Sequence, residues 1–167
     1  MLAKYLNCPF FDTDDIITQI AGIPPRTLYT TKGPSGFMAA EETACRKIAE
    51  SNNGKKIVIS TGGGICDNAP ALLTLREIGT FVFIQLPEKI AADRIVSKIT
   101  TDIAGNLQNL PAYIEKKDPR TEQDVRALFH DFYIDRTVIY KTIADITVTF
   151  EDTSESINFQ HLLTALQ

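Results

Sequence analysis

Residues 55–64, KKIVISTGGG, constrain the fold more than any other stretch of the chain. Ile57, Val58 and Ile59 are a short β-branched run with the composition of a buried strand. The run passes through Ser60 and Thr61 into three glycines, Gly62, Gly63 and Gly64. Each glycine inside a strand or helix costs about 0.5–1 kcal/mol relative to alanine, so three in succession belong to a loop. Backbone without side chains can approach a bulky group closely and offer several N–H groups to an oxygen-rich ligand. A strand that ends in such a loop, with a helix after it, is where open α/β sheets bind their ligands. A tight strand-to-helix turn is the plainer alternative, and one glycine would satisfy it.

The rest of the chain supplies matching units. Residues 1–7, MLAKYLN, read as the closing turns of a helix, with Leu2 and Leu6 on one face and Asn7 as its end. In CPFFDTDD, Phe10 and Phe11 form a short buried strand with Asp12, Asp14 and Asp15 at its carboxyl end. Alternation along an extended chain puts Asp12 and Asp14 on the same side. Two carboxylates there suit a magnesium shell and an acceptor for a hydroxylated substrate. Capping of the helix IITQIAG is the plainer role, and Asp15 suits it.

Glycines and prolines between residues 22 and 36 limit that stretch to short helices. A better helix covers 39–51 and is ended by Asn52, Asn53 and Gly54. Beyond the glycines the pattern predicts a helix over 68–77, a buried parallel strand over 80–86 and a helix opened by Pro87. Residues 100–119 are polar and interrupted by Gly105, Pro111 and Pro119, which suits a mobile lid or a binding loop. A long helix over 121–143, a strand over 145–150 and a helix over 156–166 close the chain. Strands that alternate with helices imply parallel crossover units with helices on both faces.

A chain of 167 residues suits one domain, 1–167, with a sizeable core. The net charge of −4 gives no broad reason to bind nucleic acid or an anionic membrane. Cys8, Cys45 and Cys66 are scattered and signal neither a disulfide framework nor a zinc site. His130 and His161 read as ordinary histidines. The N-terminus lacks a signal peptide's apolar core and no apolar run approaches membrane-spanning length, so a cytoplasmic location is expected.

Taken in order, these residues resemble the shikimate kinase family of P-loop small-metabolite kinases over nearly the whole chain. FFDTDD resembles the family's strand-end D-x-D, STGGG its glycine motif, and DRTVIYKTIADITV its arginine helix running into the last strand. Gly33-Pro-Ser-Gly-Phe37-Met38-Ala-Ala-Glu41 falls where the family has G-E-x-x-F-R-x-x-E. The resemblance implies a three-layer α/β fold with a parallel sheet in the order 2-3-1-4-5, of which the first, central strand is missing here. It implies ATP-dependent phosphorylation of the 3-hydroxyl of shikimate, with ATP and Mg2+ as cofactors and a small molecule as partner. Asp12 would enter the magnesium shell. Asp14 would be the catalytic residue, accepting from ring hydroxyls and orienting the attacking one. Gly62, Gly63 and Gly64 would offer N–H groups to substrate. Arg136 would hold its carboxylate with a planar two-pronged donor.

Three departures remove phosphate- or carboxylate-binding groups. No G-x-x-x-x-G-K-[ST] loop occurs in residues 1–167; its place would be just before Met1. The family's second carboxylate-binding arginine falls on Met38, and the lid arginine falls on Leu110 before Pro111. Lys116, Lys117 or Arg120 could approach the phosphates instead. The expectation is that the full chain starts upstream, or that a shortened chain folds with a rearranged or partner-completed sheet. Removing a central strand would unpair backbone groups that cost about 1–3 kcal/mol each. Residues 1–167 alone are expected to be an impaired kinase. A non-catalytic relative acting as a binding protein, or a kinase for another hydroxy acid or polyol, are the alternatives.

Overall fold

The computed structural model describes residues 1–167, which form two compact units, Met1–Phe81 and Val82–Gln167. The sequence reading treats the same span as one domain.

In the first unit a short helix α1 (Leu2–Tyr5) is followed by strand β1 (Phe10–Asp12), helix α2 (Thr13–Ala21) and helix α3 (Pro25–Asn52). Asn7 has a φ of 50°, the left-handed conformation that ends a helix, as expected for it. Strand β2 (Val58–Ser60), a 3-10 turn (Gly63–Asp67) and helix α4 (Ala69–Arg76) complete the unit. α3 is longer than residues 39–51 because the chain is already helical from Pro25. It is broken once, at Gly33, where φ is 69° and Pro34 follows. A β-carbon would be strained at that φ, so glycine permits the break.

The second unit runs β3 (Val82–Gln85), α5 (Glu88–Val96), the hairpin β4 (Thr100–Thr101) and β5 (Leu107–Gln108), and α6 (Ala112–Glu115). It ends with α7 (Glu122–Ile143), β6 (Ile146–Thr149) and α8 (Glu155–Ala165). α7 starts at a capping box, with Thr121 and Asp124 each accepting from the other's backbone N–H. Lys89, Asp93, Arg126 and Glu122 form an ion-pair chain that links α5 to α7.

β1 pairs with β2 in parallel, in the register Phe10↔Val58, Phe11↔Ile59, Asp12↔Ser60. β3 pairs with β6 in parallel, from Val82↔Ile146 to Gln85↔Thr149. An order of 2-3-1-4-5 without its first strand leaves the pairs 2-3 and 4-5, and these two pairs are what forms. These four strands keep the partners that order gives them.

Residues 100–119 are more ordered than their composition suggests. Asp102 accepts from the backbone N–H groups of Ala104 and Asn106 and from the side-chain amides of Asn106 and Gln108, which closes the hairpin. Leu110 and Ile114 then enter a core with Ala92, Val125 and Phe129. Leu110, where the resemblance looks for an arginine, is 4% exposed. It therefore anchors this segment by packing, and no charge stands at this position.

The first unit has two apolar clusters, one around Ile17, Leu28 and Ala44 and one around Cys45, Ile65, Ala71 and Leu75. Burial pushes the Cys45 thiol up to about 12, so it behaves as a core atom and not as a nucleophile. All three cysteines are free. Thr13, Glu41 and Asn68 are buried among these clusters at 0%, 1% and 2% exposure. Asn68 Nδ2 donates to Glu41 Oε2 and to the Met38 carbonyl, both at 2.8 Å. Burial holds the Glu41 carboxyl above its ordinary 4.5; the Asn68 hydrogen bond opposes this, and the charges of Asp14 and Asp67 add to it.

Two outcomes follow. Leu110→Arg should lower stability by about 3 kcal/mol or more, because it forces an unpaired cation into an apolar core, as read by urea denaturation. Glu41 holds its proton more tightly in the folded than in the unfolded chain. Its stabilising contribution is complete below the unfolded value and is lost as pH rises through the raised folded value. Glu41→Gln should remove that loss, so its urea midpoint should gain on the wild type between pH 4.5 and 7.

Candidate active site

The parallel register of β1 and β2 sets the site, because Asp12↔Ser60 is its last pair and both strands end together. The two segments that carry the motifs, 12–15 and 61–64, therefore leave the carboxyl edge side by side. That edge is where ligands bind in open α/β sheets.

Asp12 is the N-cap of α2, and its Oδ1 accepts from the Asp14 backbone N–H at 2.9 Å. This corrects two expectations. The cap is Asp12 and not Asp15, which lies in the first turn. Asp14 is helical, so it does not share a side with Asp12 by strand alternation. The physical reason is that the Asp12 carboxylate captures the second amide and bends the chain into a helix at Thr13.

Thr13, between the two carboxylates, is a contributor that motif reading passes over. Its fully buried side chain accepts from the Gly62 backbone N–H at 3.4 Å and joins the two segments. A β-carbon on Gly62 would lie 3.6 Å from Asp14 Oδ1. Asp14 and the first glycine are thus neighbours. A threonine between two aspartates at a strand end was the available signal.

The glycines divide by role. The Gly62 N–H is already taken by Thr13. Gly63 and Gly64 open the 3-10 turn, and the Gly63 carbonyl accepts from the Cys66 thiol at 3.3 Å. A β-carbon on Gly64 would meet no protein atom within 4 Å. Protein packing therefore does not demand glycine there, whereas close approach of a ligand would.

Partial desolvation, then the charges of Asp12 and Asp15, hold the Asp14 carboxyl above the usual carboxylate range. A raised value improves a carboxylate as a proton acceptor near neutral pH. Surplus negative charge here also suits a divalent cation of the magnesium kind, which needs only one or two carboxylates and keeps several waters. No group of three or more His, Cys, Asp or Glu is placed to form an all-protein metal cage.

Arg136 lies on α7, in the second unit, with its guanidinium 5.1 Å from the Phe132 ring centre. Phe132 stacks in turn on Tyr113 at 3.7 Å. Burial drives the Tyr113 hydroxyl up to about 12, while Arg136 pulls it the other way. The arginine is thus seated on an aromatic platform that restricts its rotamers. Arg120 pairs with Asp118, and His130 pairs with Glu88 at 2.8 Å.

A separate cleft of about 610 Å³ lies at the amino end of β2, against Leu6, Asn52, Lys55, Ile57 and Ile78. It is at the opposite end of the strand from the carboxylates and glycines, so it is not part of this site. No helix is long and apolar enough to cross a membrane.

The chain is similar to shikimate kinase from Aquifex aeolicus (strain VF5), 33% identical over 94 residues, 56% of this chain and 54% of that protein. That alignment thus spans about half the relative's length. The crystal structure of shikimate kinase from Aquifex aeolicus VF5 covers 99% of this chain and 84% of its own, at 27% identity and a TM-score of 0.68. A structure titled shikimate kinase from Acinetobacter baumannii in complex with shikimate shares the fold, with 21% identity, a TM-score of 0.66, and coverage of 98% and 79%. These likenesses and the parallel pairs make the fold an α/β fold of P-loop kinase type. The family model described as shikimate kinase matches residues 1–167, and the chain belongs to the shikimate kinase family.

Proposed function

We propose that this chain binds shikimate or a close hydroxy acid in the manner of a shikimate kinase, and carries the acceptor half of a phosphoryl-transfer site. The observation that supports this most is the meeting of Asp14, Thr13 and Gly62 at the carboxyl edge of the β1–β2 pair, in a chain matched throughout by the family model.

Asp14 accepts a hydrogen bond from a ring hydroxyl of the substrate. With ATP bound, Asp14 would receive the proton that this hydroxyl gives up on phosphorylation. Its raised carboxyl value supports that role. Asp12 would stand in the shell of Mg2+, which when bound would supply charge neutralisation to the phosphoryl group. The backbone of Gly63 and Gly64 lines the approach, and Arg136 takes the substrate carboxylate. Met38 adds no second cation.

Phosphoryl transfer rests on positioned cations around the phosphates. Leu110, where the family has a lid arginine, is committed to the core, and Met38 stands where it has a second carboxylate-binding arginine. These two observations favour a second reading, a binding protein of the same family in which substrate is held and not phosphorylated.

Calorimetric titration of residues 1–167 with shikimate, then with ATP and Mg2+, separates the readings. Shikimate should bind and ATP weakly or not at all; nanomolar to low-micromolar ATP affinity would refute the impaired-kinase reading, and no heat with shikimate would remove the substrate assignment. Met38→Arg supplies a guanidinium for the carboxylate and should tighten shikimate by about 1.5–3 kcal/mol, roughly ten- to hundredfold. An unchanged affinity would shift the assignment to another hydroxy acid or a polyol.

A further inference from the structure

We infer that Glu41 and Asn68 form a positioning pair that holds the glycine turn in place beside Asp14. Their link to substrate rests on the proposed function; their action on the turn does not.

The connections are specific. Asn68 directly follows the 3-10 turn (Gly63–Asp67), and its backbone N–H donates to the Ile65 carbonyl at 2.9 Å. One side-chain amide then reaches three places. Its Nδ2 donates to Glu41 Oε2 and to the Met38 carbonyl, and its Oδ1 accepts from the Ala71 N–H at 3.4 Å as the N-cap of α4. Both amide hydrogens and the amide oxygen are thereby used. Residue 68 is 2% exposed and residue 41 is 1% exposed, so water does not substitute for either partner. The turn between Gly62 and Asn68 is therefore pinned at one end by Thr13 and at the other by α3, with Ile65 buried between them.

Glu41 is an unusual choice for a purely structural acceptor. A buried carboxylate carries a desolvation cost that a neutral acceptor avoids, and here its partner is an amide. Met38, three residues earlier on the same helix and on a neighbouring face position, offers only its carbonyl to this cluster. The carboxylate thus serves as an acceptor for Asn68, and the amide sets where the turn lies. Sites keep their geometry when supporting hydrogen bonds lock the groups that face the ligand.

The test is amide hydrogen exchange of residues 1–167, with shikimate calorimetry on the same samples. Glu41→Leu removes the acceptor and should speed exchange across residues 62–71 at least tenfold, with other helices of the first unit near wild type. Glu41→Gln keeps an acceptor oxygen and should stay within about twofold. Leu28→Ala, a core change outside the pair, should speed exchange broadly, as a merely structural lesion does.

Asn68→Asp keeps the cap on Ala71 but faces one carboxylate with another, and it should loosen 62–71 even where Glu41→Leu fails to fold. Adding Glu41→Gln to Asn68→Asp reverses donor and acceptor and should recover most of the protection, a coupling that only direct partners show. Shikimate affinity should fall about tenfold in Glu41→Leu and hold within threefold in Glu41→Gln. Exchange at 62–71 unchanged in Glu41→Leu and Asn68→Asp, or spread evenly as in Leu28→Ala, overturns the pair's role. Absence of shikimate binding in every protein overturns the proposed function alone.

Discussion

The parallel ladder between β1 and β2 is the constraint on which the candidate site depends. It has only three pairs of residues, and the last of them, Asp12↔Ser60, decides that the two chains leave the sheet together. A shift by one residue would turn every side chain of a strand to the other face, and Thr13 would no longer meet Gly62. Everything chemical in the first unit is an extension of that register. The carboxylate of Asp12 starts a helix, the helix carries Asp14, and the buried Thr13 hydroxyl fastens the turn to the glycines.

Around this edge the first unit concentrates negative charge and hydrogen-bond acceptors. Asp12, Asp14 and Asp15 lie in four successive residues, and Glu41 is buried close enough to sense both Asp14 and Asp67. Such an arrangement accepts protons and attracts cations; it does not by itself hold a carboxylate or a phosphate. In the second unit, the Arg136 guanidinium on α7 lies against the Phe132 ring.

Much of this was legible before any coordinates. Residues 58–60, 82–85 and 146–149 are strands where β-branched and aromatic runs predicted them, and the helix ends at Asn7, Asn53 and Thr121 follow local capping chemistry. Pairing of the strands as 2-3 and 4-5 also agrees with the family order. Asp14 was misplaced onto a strand because alternation does not report where a cap will bend the chain. The short helix from Pro25 to the break at Gly33 fits the short helices expected there, though its start was not placed because prolines and glycines weaken periodicity. The polar composition of residues 100–119 hid Leu110 and Ile114, two apolar residues that suffice to tie the segment to α5 and α7.

Sequence alone determined the alternation of strands and helices, the parallel pairing of β1 with β2 and of β3 with β6, and the residue types available at the carboxyl edge. Those properties come from local propensity and short-range periodicity, which a linear reading contains in full. Only the tertiary structure decided that Thr13 meets Gly62 across 49 residues, that Glu41 meets Asn68 across 27, and that Leu110 is a core residue. Each of those is settled by which distant groups share a buried volume, where an unpaired polar atom is costly and an apolar one is not. Spacing along the chain carries no measure of that.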